Sequence, residues 1–268
     1  MKKSEIEIVY QDDDILVVNK PSGISVTKDR SGKAQLLDFL HCCMAPQAAD
    51  ELRLVHRLDK DTSGVMILAK NTSAQSLFSS AFEKRLIKKT YLALVAGFVS
   101  KPHGSIDIPL KKSPDKFNIM CTTRKKGKTA LTKWRLLADF GTIALLAVSP
   151  VTGRTHQIRV HLPAAGMPLA IDPLYGSDAP LLLSDFKPSY RLAKSQIEKP
   201  LIERLTLHAY QLELIEPQPQ RPSCFIAPLD KKFAATIKML TKHNPKALDA
   251  FTNPDHFQAI INHQPLQT

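Results

Sequence analysis

Short apolar runs bounded by turn residues recur along the whole chain, with too few helical patterns between them to alternate regularly. That punctuation limits the fold more than any other feature. Residues 5–10 and 15–19 flank the acidic turn Asp12-Asp13-Asp14 and read as an antiparallel hairpin, stopped by Lys20-Pro21-Ser22-Gly23. A short helix is predicted over 34–44, and the continuous apolar run at 64–70 predicts a buried strand. Asn71-Thr72-Ser73 supplies caps for a helix over 73–85. Further strands are predicted at 89–97, 105–110, 128–137, 142–148, 205–214 and 223–226, and an amphipathic helix at 229–241. A doubly wound parallel sheet is disfavoured by this order. The expectation is an α+β fold built on a large mixed, mostly antiparallel β-sheet with flanking helices and loops.

The chain shows no internal repeat and no convincing dividing linker, so one domain over 1–228 is expected, with 229–268 a helix and polar tail packed on it or trailing it. Residues 177–200 carry three prolines and mixed charge and read as an excursion from the core. The longest apolar stretches, such as 143–148, fall far short of the roughly 20 residues of a bilayer span. The start, Met1-Lys2-Lys3-Ser4-Glu5, leads into strand-like residues without an apolar signal core. A cytoplasmic monomer with no membrane contact is expected. Cys42, Cys43, Cys121 and Cys224 contain no C-x-x-C pair, so reduced thiols are favoured over a metal site or a disulfide framework.

Charge points to the partner. The 37 Lys and Arg outnumber the 25 Asp and Glu, a net of +12, so the field around the molecule attracts polyanions. Lys111, Lys112, Lys116, Arg124, Lys125, Lys126, Lys128, Lys133 and Arg135 form one cluster, in which Asp115 is the sole acid. Lys84, Arg85, Lys88 and Lys89 form another. Either cluster alone reads as a solvated loop; together they suit phosphate tracking by counterion release. With one Trp and five Tyr, a repeated base-stacking platform is not expected.

Two stretches carry chemistry. Val55-His56-Arg57-Leu58-Asp59-Lys60-Asp61-Thr62-Ser63-Gly64 puts a carboxylate two residues after an arginine, on irregular chain just before a buried strand. By spacing alone, Asp59 and Asp61 could equally be turn formers. Val151-Thr152-Gly153-Arg154-Thr155-His156-Gln157-Ile158-Arg159-Val160-His161 would place His156 and Arg159 on one face if a helix starts there. The alternative is an ordinary basic helix start. A P-loop, a G-x-G-x-x-G, an H-E-x-x-H and a G-x-S-x-G elbow are all missing from the sequence, which removes support for nucleotide hydrolysis, zinc hydrolysis and a serine triad. His156, His161 and His208 read as structural rather than metal-binding.

Six ordered motifs carry a resemblance. They are Asn19-Lys20-Pro21-Ser22-Gly23; His56-Arg57-Leu58-Asp59 with Thr62-Ser63-Gly64; Lys89-Thr90-Tyr91-Leu92-Ala93-Leu94-Val95-Ala96-Gly97; the stretch from Gly153 to His161; Asp172-Pro173-Leu174-Tyr175-Gly176; and Leu207-His208-Ala209. Across about residues 6–228 the chain resembles the RluA family of RNA pseudouridine synthases, with no separate S4-type RNA-binding domain ahead of the first motif. Relatives commonly carry glycine where Ile171 stands, and Pro163 is expected to kink a helix continuing from Arg159.

The resemblance implies a cofactor-free, metal-free isomerase that turns uridine into pseudouridine in structured RNA, ribosomal or transfer. Asp59 matches the catalytic aspartate, Tyr91 the tyrosine that packs on uracil and is implicated in proton removal, and Arg159 the arginine paired with the aspartate. Arg57 matches the residue that fills the space of a flipped base. Lys20, His56, Arg154 and His156, in the same motifs, are expected to bind substrate beside it. The residue types suit the chemistry: a ribose losing its base becomes electron-poor at C1′, and an ionised carboxylate stabilises or traps it. A covalent route and a glycal route remain equally open. The alternatives are an RNA-binding or ribosome-assembly module of the same fold with little activity, and a glycosidase, which would call for a second catalytic acid and aromatic platforms.

Overall fold

The computed structural model describes residues 6–27, 32–42, 50–116, 119–187, 190, 197–216, 219–243, 258–260 and 262–266. The elements follow in the order β1 (Glu7–Gln11), β2 (Ile15–Lys20), α1 (Leu36–His41), β3 (Arg53–Leu54), β4 (Ser63–Ala69), α2 (Thr72–Glu83) and β5 (Ile87–Ala96). Next come β6 (His103–Asp107), β7 (Leu110–Lys112), β8 (Met120–Thr122), β9 (Leu131–Asp139), β10 (Ile143–Pro150) and α3 (Gln157–Ala164). The last are β11 (Leu207–Leu214), β12 (Cys224–Ile226) and α4 (Lys231–His243). The chain folds as two compact units, one from Met1–Thr90 with His208–Pro228, the other from Tyr91–Leu207 with Leu229–Thr268. Among the described residues no helix is long and apolar enough to cross a membrane.

In the first unit the strand order is β1-β2-β4-β11, with β3 beside β4 and β12 beside β11. The hairpin, the buried strand and the capped helix stand within a few residues of their predicted places. Asp12 Oδ1 accepts the N–H of Asp14 and of Ile15 and shapes the hairpin turn. Asn71 Oδ1 accepts the Ala74 N–H at 2.8 Å, so α2 starts where its capping residue stands. All seven residues of β4 are buried, as its unbroken apolar run requires. β4 runs antiparallel to β2 and β3 and parallel to β11. At its start Gly64 has φ +118°, and a Cβ there would lie 2.1 Å from the carbonyl oxygen of Ala209. Only glycine permits both that dihedral and that approach.

In the second unit the order is β5-β10-β9-β6, antiparallel throughout. Its core joins Val95, Leu136, Leu146 and Val148 on these strands to Ile158 and Leu162 on α3. α4 belongs here: Asp230 Oδ1 caps it by accepting the N–H of Lys232 and Phe233, and Asp230 pairs with Arg204. One reading changes. The basic stretch after 110 is not simply a loop, because β7 and β8 pair as a separate antiparallel ribbon. The helix does not continue past Pro163 by more than one residue, since α3 ends at Ala164. Of the 177–200 stretch, 188–189 and 191–196 lie outside the described residues, as do all of 244–257.

Candidate active site

The H-R-L-D stretch leaves β3 and enters β4 over residues 55–62, and both of its ends are pinned. Where the β3 ladder stops at Leu54, the His56 imidazole takes over. Its Nε2 accepts the Ile67 N–H at 2.9 Å, and its ring stacks on Phe82 with centroids 4.1 Å apart. Burial, then the nearby Lys89 ammonium, pushes the His56 value down to about 3, so the ring is neutral and its proton is on Nδ1. His56 was expected to bind substrate; with Nε2 committed to β4, its observed work is to terminate a sheet edge.

At the other end the Lys20 side chain is fully buried. Its Nζ donates to the carbonyl oxygens of Pro21 (2.9 Å), Ile24 (2.9 Å) and Lys60 (3.0 Å). Lys20 was expected to bind substrate; in the structure its ammonium donates to three main-chain oxygens. The adjoining turn adds two more holds, Gly23 N–H to the Lys60 carbonyl at 2.9 Å and Ser22 Oγ to the Asp61 carbonyl at 2.6 Å. The Thr62 N–H donates to the Asp59 carbonyl at 3.2 Å. Asp59 thus rides on a loop gripped through the backbone of its neighbours, with its side chain half-buried and Arg57 exposed. Behind the loop, Ser63 Oγ lies 2.9 Å from His208 Nδ1, and His208 Nε2 donates to the Ala227 carbonyl at 3.0 Å. Lys20, His56, Arg57 and Asp59 therefore share one unit.

Tyr91, Arg154, His156 and Arg159 belong to the other. Tyr91 stands on β5 opposite Val148 of β10, half-buried against the core. The loop from β10 to α3 is fixed by Gln157, whose Oε1 accepts from Thr152 Oγ1 (2.7 Å) and the Arg154 N–H (3.0 Å). Its Nε2 donates to the Leu131 carbonyl and Thr132 Oγ1 on β9. His156 takes the left-handed conformation (φ 53°) that turns the chain into α3, and half-exposed Arg154 donates Nε–H to the Thr129 carbonyl.

Arg159 is 2% exposed and makes a two-pronged pair with Asp172: Nε to Oδ2 at 2.8 Å and Nη2 to Oδ1 at 2.6 Å. A buried guanidinium without a carboxylate is costly, and removing one partner of such a pair typically costs about 3–5 kcal/mol. Asp172 also accepts the N–H of Leu174 and Tyr175, which curls the D-P-L-Y-G turn and lays the Tyr175 ring 5.3 Å from Arg159 Cζ. Asp172 and Tyr175 were not among the expected site residues. The signal was present, since a buried arginine on a helix needs an acid, and Asp172 follows it in the next motif.

Comparison with known proteins points to one family. Residues 14–164 match the model of the family described as RNA pseudouridylate synthase. The ribosomal large subunit pseudouridine synthase D of Nitrosomonas europaea is 37% identical over 238 residues, 88% of this chain and 65% of that protein. The ribosomal large subunit pseudouridine synthase C of Vibrio cholerae is 36% identical over 85% of this chain and 68% of its own length. An uncharacterized RNA pseudouridine synthase of Zymomonas mobilis is 35% identical, with 84% and 94% covered. This chain thus spans about two thirds of the first two relatives and nearly all of the third. Among solved structures, human RNA pseudouridylate synthase domain containing 4 aligns with a TM-score of 0.65 at 26% identity, covering 87% of this chain and 92% of that one.

Proposed function

The chain belongs to the RNA pseudouridylate synthase family, and we propose that it isomerises uridine to pseudouridine in structured RNA, with ribosomal RNA ahead of transfer RNA as substrate. The observation that carries this reading is the family match over 14–164, which contains Asp59, Tyr91 and Arg159. The preference for ribosomal RNA rests on the names of the Nitrosomonas and Vibrio relatives. In the reaction the N1–C1′ bond breaks, the uracil turns, C5 bonds to C1′, and the proton on C5 leaves for N1 through solvent or a side chain. Asp59 supplies the ionised carboxylate; whether it attacks C1′ or draws off the 2′ proton, the same charge serves. Tyr91 offers a flat face to the uracil and a hydroxyl that relays the C5 proton, taking it up on oxygen as its own proton passes on toward N1. Arg159 supplies the guanidinium that favours the charged acid. Exposed Arg57 fills the stack left by the extruded base, whose unstacking costs a few kcal/mol. Half-exposed Arg154 and His156 serve as phosphate or ribose contacts.

Transcribed large-subunit rRNA, incubated with the protein and mapped by carbodiimide-blocked primer extension, tests the reading. Wild type yields discrete new stops. Asp59→Ala lowers their formation by about a thousandfold, the scale on which loss of a charge-stabilising group acts. Identical maps for the two proteins would show an RNA-binding module without this chemistry.

A further inference from the structure

The second unit holds a contact that the reaction alone does not explain. The Tyr175 hydroxyl accepts the N–H of Met120, on β8, at 2.9 Å and lies 2.7 Å from His156 Nδ1. A phenol has one proton. With the Met120 amide donating to the oxygen, the hydroxyl and His156 Nδ1 share a second hydrogen bond whose direction follows the imidazole tautomer. The same ring covers the buried Arg159 guanidinium, and the same turn contributes the Asp172 fork. Tyr175 therefore touches a guanidinium with its face and a sheet ribbon with its edge.

That ribbon and its flanks carry a dense set of exposed cations. Lys111 and Lys112 on β7 are exposed, as are Lys116, Arg124, Lys125, Lys126 and Lys128 around it. Its root is tied down: Leu110 and Lys128 exchange main-chain hydrogen bonds at 2.9 and 2.8 Å. Leu110 packs with Ala130 and Val160 of α3, against which Met120 and Tyr175 also lie. A pull on the ribbon by an RNA backbone is thus delivered to α3 and to the Tyr175 oxygen, one ring away from Arg159.

We propose that Tyr175 is a positioning residue that couples the hold of the β7–β8 ribbon on RNA to the seating of the Arg159 guanidinium. The proposal rests on the functional reading above and adds that substrate engagement sets the guanidinium in place. Tyr175→Phe keeps the ring over Arg159 and removes the link to Met120 and His156. With transcribed large-subunit rRNA at saturation, the single-turnover rate of Tyr175→Phe falls about tenfold, the upper scale of one lost hydrogen bond. Its melting temperature moves by no more than about 3 °C. In a background carrying Lys111→Gln and Lys112→Gln, the same replacement costs less than about twofold, because the ribbon no longer delivers the pull. An unchanged rate, or an equal cost in both backgrounds, overturns the proposal. A readout independent of turnover separates it from the functional reading: the Arg159 Nε–H resonance shifts when a uridine-bearing RNA stem-loop is added to wild type and stays in place in Tyr175→Phe. A coupled shift without pseudouridine formation would sink the reaction and leave the coupling standing; equal shifts in both proteins would sink the coupling whatever the reaction.

Discussion

The acid and the guanidinium are held by opposite strategies. In the first unit the holds nearest Asp59 fall on main-chain carbonyls, those of residues 59, 60 and 61, gripped by Lys20, Ser22, Gly23 and Thr62. In the second unit the grip is on the Arg159 side chain itself, forked by Asp172 and covered by Tyr175. A grip on the backbone fixes where the Asp59 side chain starts, whereas a grip on the side chain fixes where the Arg159 charge ends. The contrast teaches that a motif can be a holder rather than a reagent: N-K-P-S-G and D-P-L-Y-G both position another motif.

The largest test of that contrast removes the clamp. Asp172→Asn leaves a buried guanidinium without its counter-charge, with an expected loss of about 3–5 kcal/mol in urea unfolding and slower turnover in the fraction that stays folded. Full stability in this variant would mean the fork does not carry the charge of Arg159. Next in size is Lys20→Met, which strips a cation from three carbonyls and should cost about 2–3 kcal/mol. RNA affinity in the refolded variant should stay near wild type while turnover falls. Weakened affinity at unchanged stability would instead return Lys20 to the substrate contacts that its motif first suggested.

The smallest effect is a matter of pH. His56 is held neutral with a value of about 3, against an ordinary value of 6.5. Its contribution to stability is therefore complete above about pH 6.5, where folded and unfolded chains bind the same number of protons. It drains away as acidity increases toward pH 3, because the unfolded chain takes up a proton that the folded ring refuses. His56→Gln should flatten the fall of the urea midpoint between pH 6.5 and pH 4. Parallel curves for the two proteins would show that the ring is not kept neutral.

Much of the framework was legible in the sequence. The runs at 64–70 and 142–148 announced β4 and β10 because complete burial leaves no alternation to misread, and Asn71 announced the start of α2. The ribbon was not legible. Its strands are three residues each, and in Lys111 and Lys112 they carry exposed charge, so neither period nor hydrophobicity marks them. The motifs singled out Asp59, Tyr91 and Arg159 as candidates. They could not tell the binding residues from the holders, because the burial of Lys20 depends on where the carbonyls of a turn forty residues away converge. The contact of His56 with β4 was hidden for the same reason: a sheet edge that needs an acceptor is a tertiary fact.

The close approach of Gly64 to Ala209 has a consequence for how the polypeptide emerges from the ribosome. β4 is made well before the neighbour that lies against Ser63 and Gly64, since Ser63 and His208 are 145 residues apart. Until His208 and Ala209 leave the exit tunnel, the platform beneath Asp59 lacks one wall. A growing chain therefore matures its acid-bearing loop only after that later strand has been made.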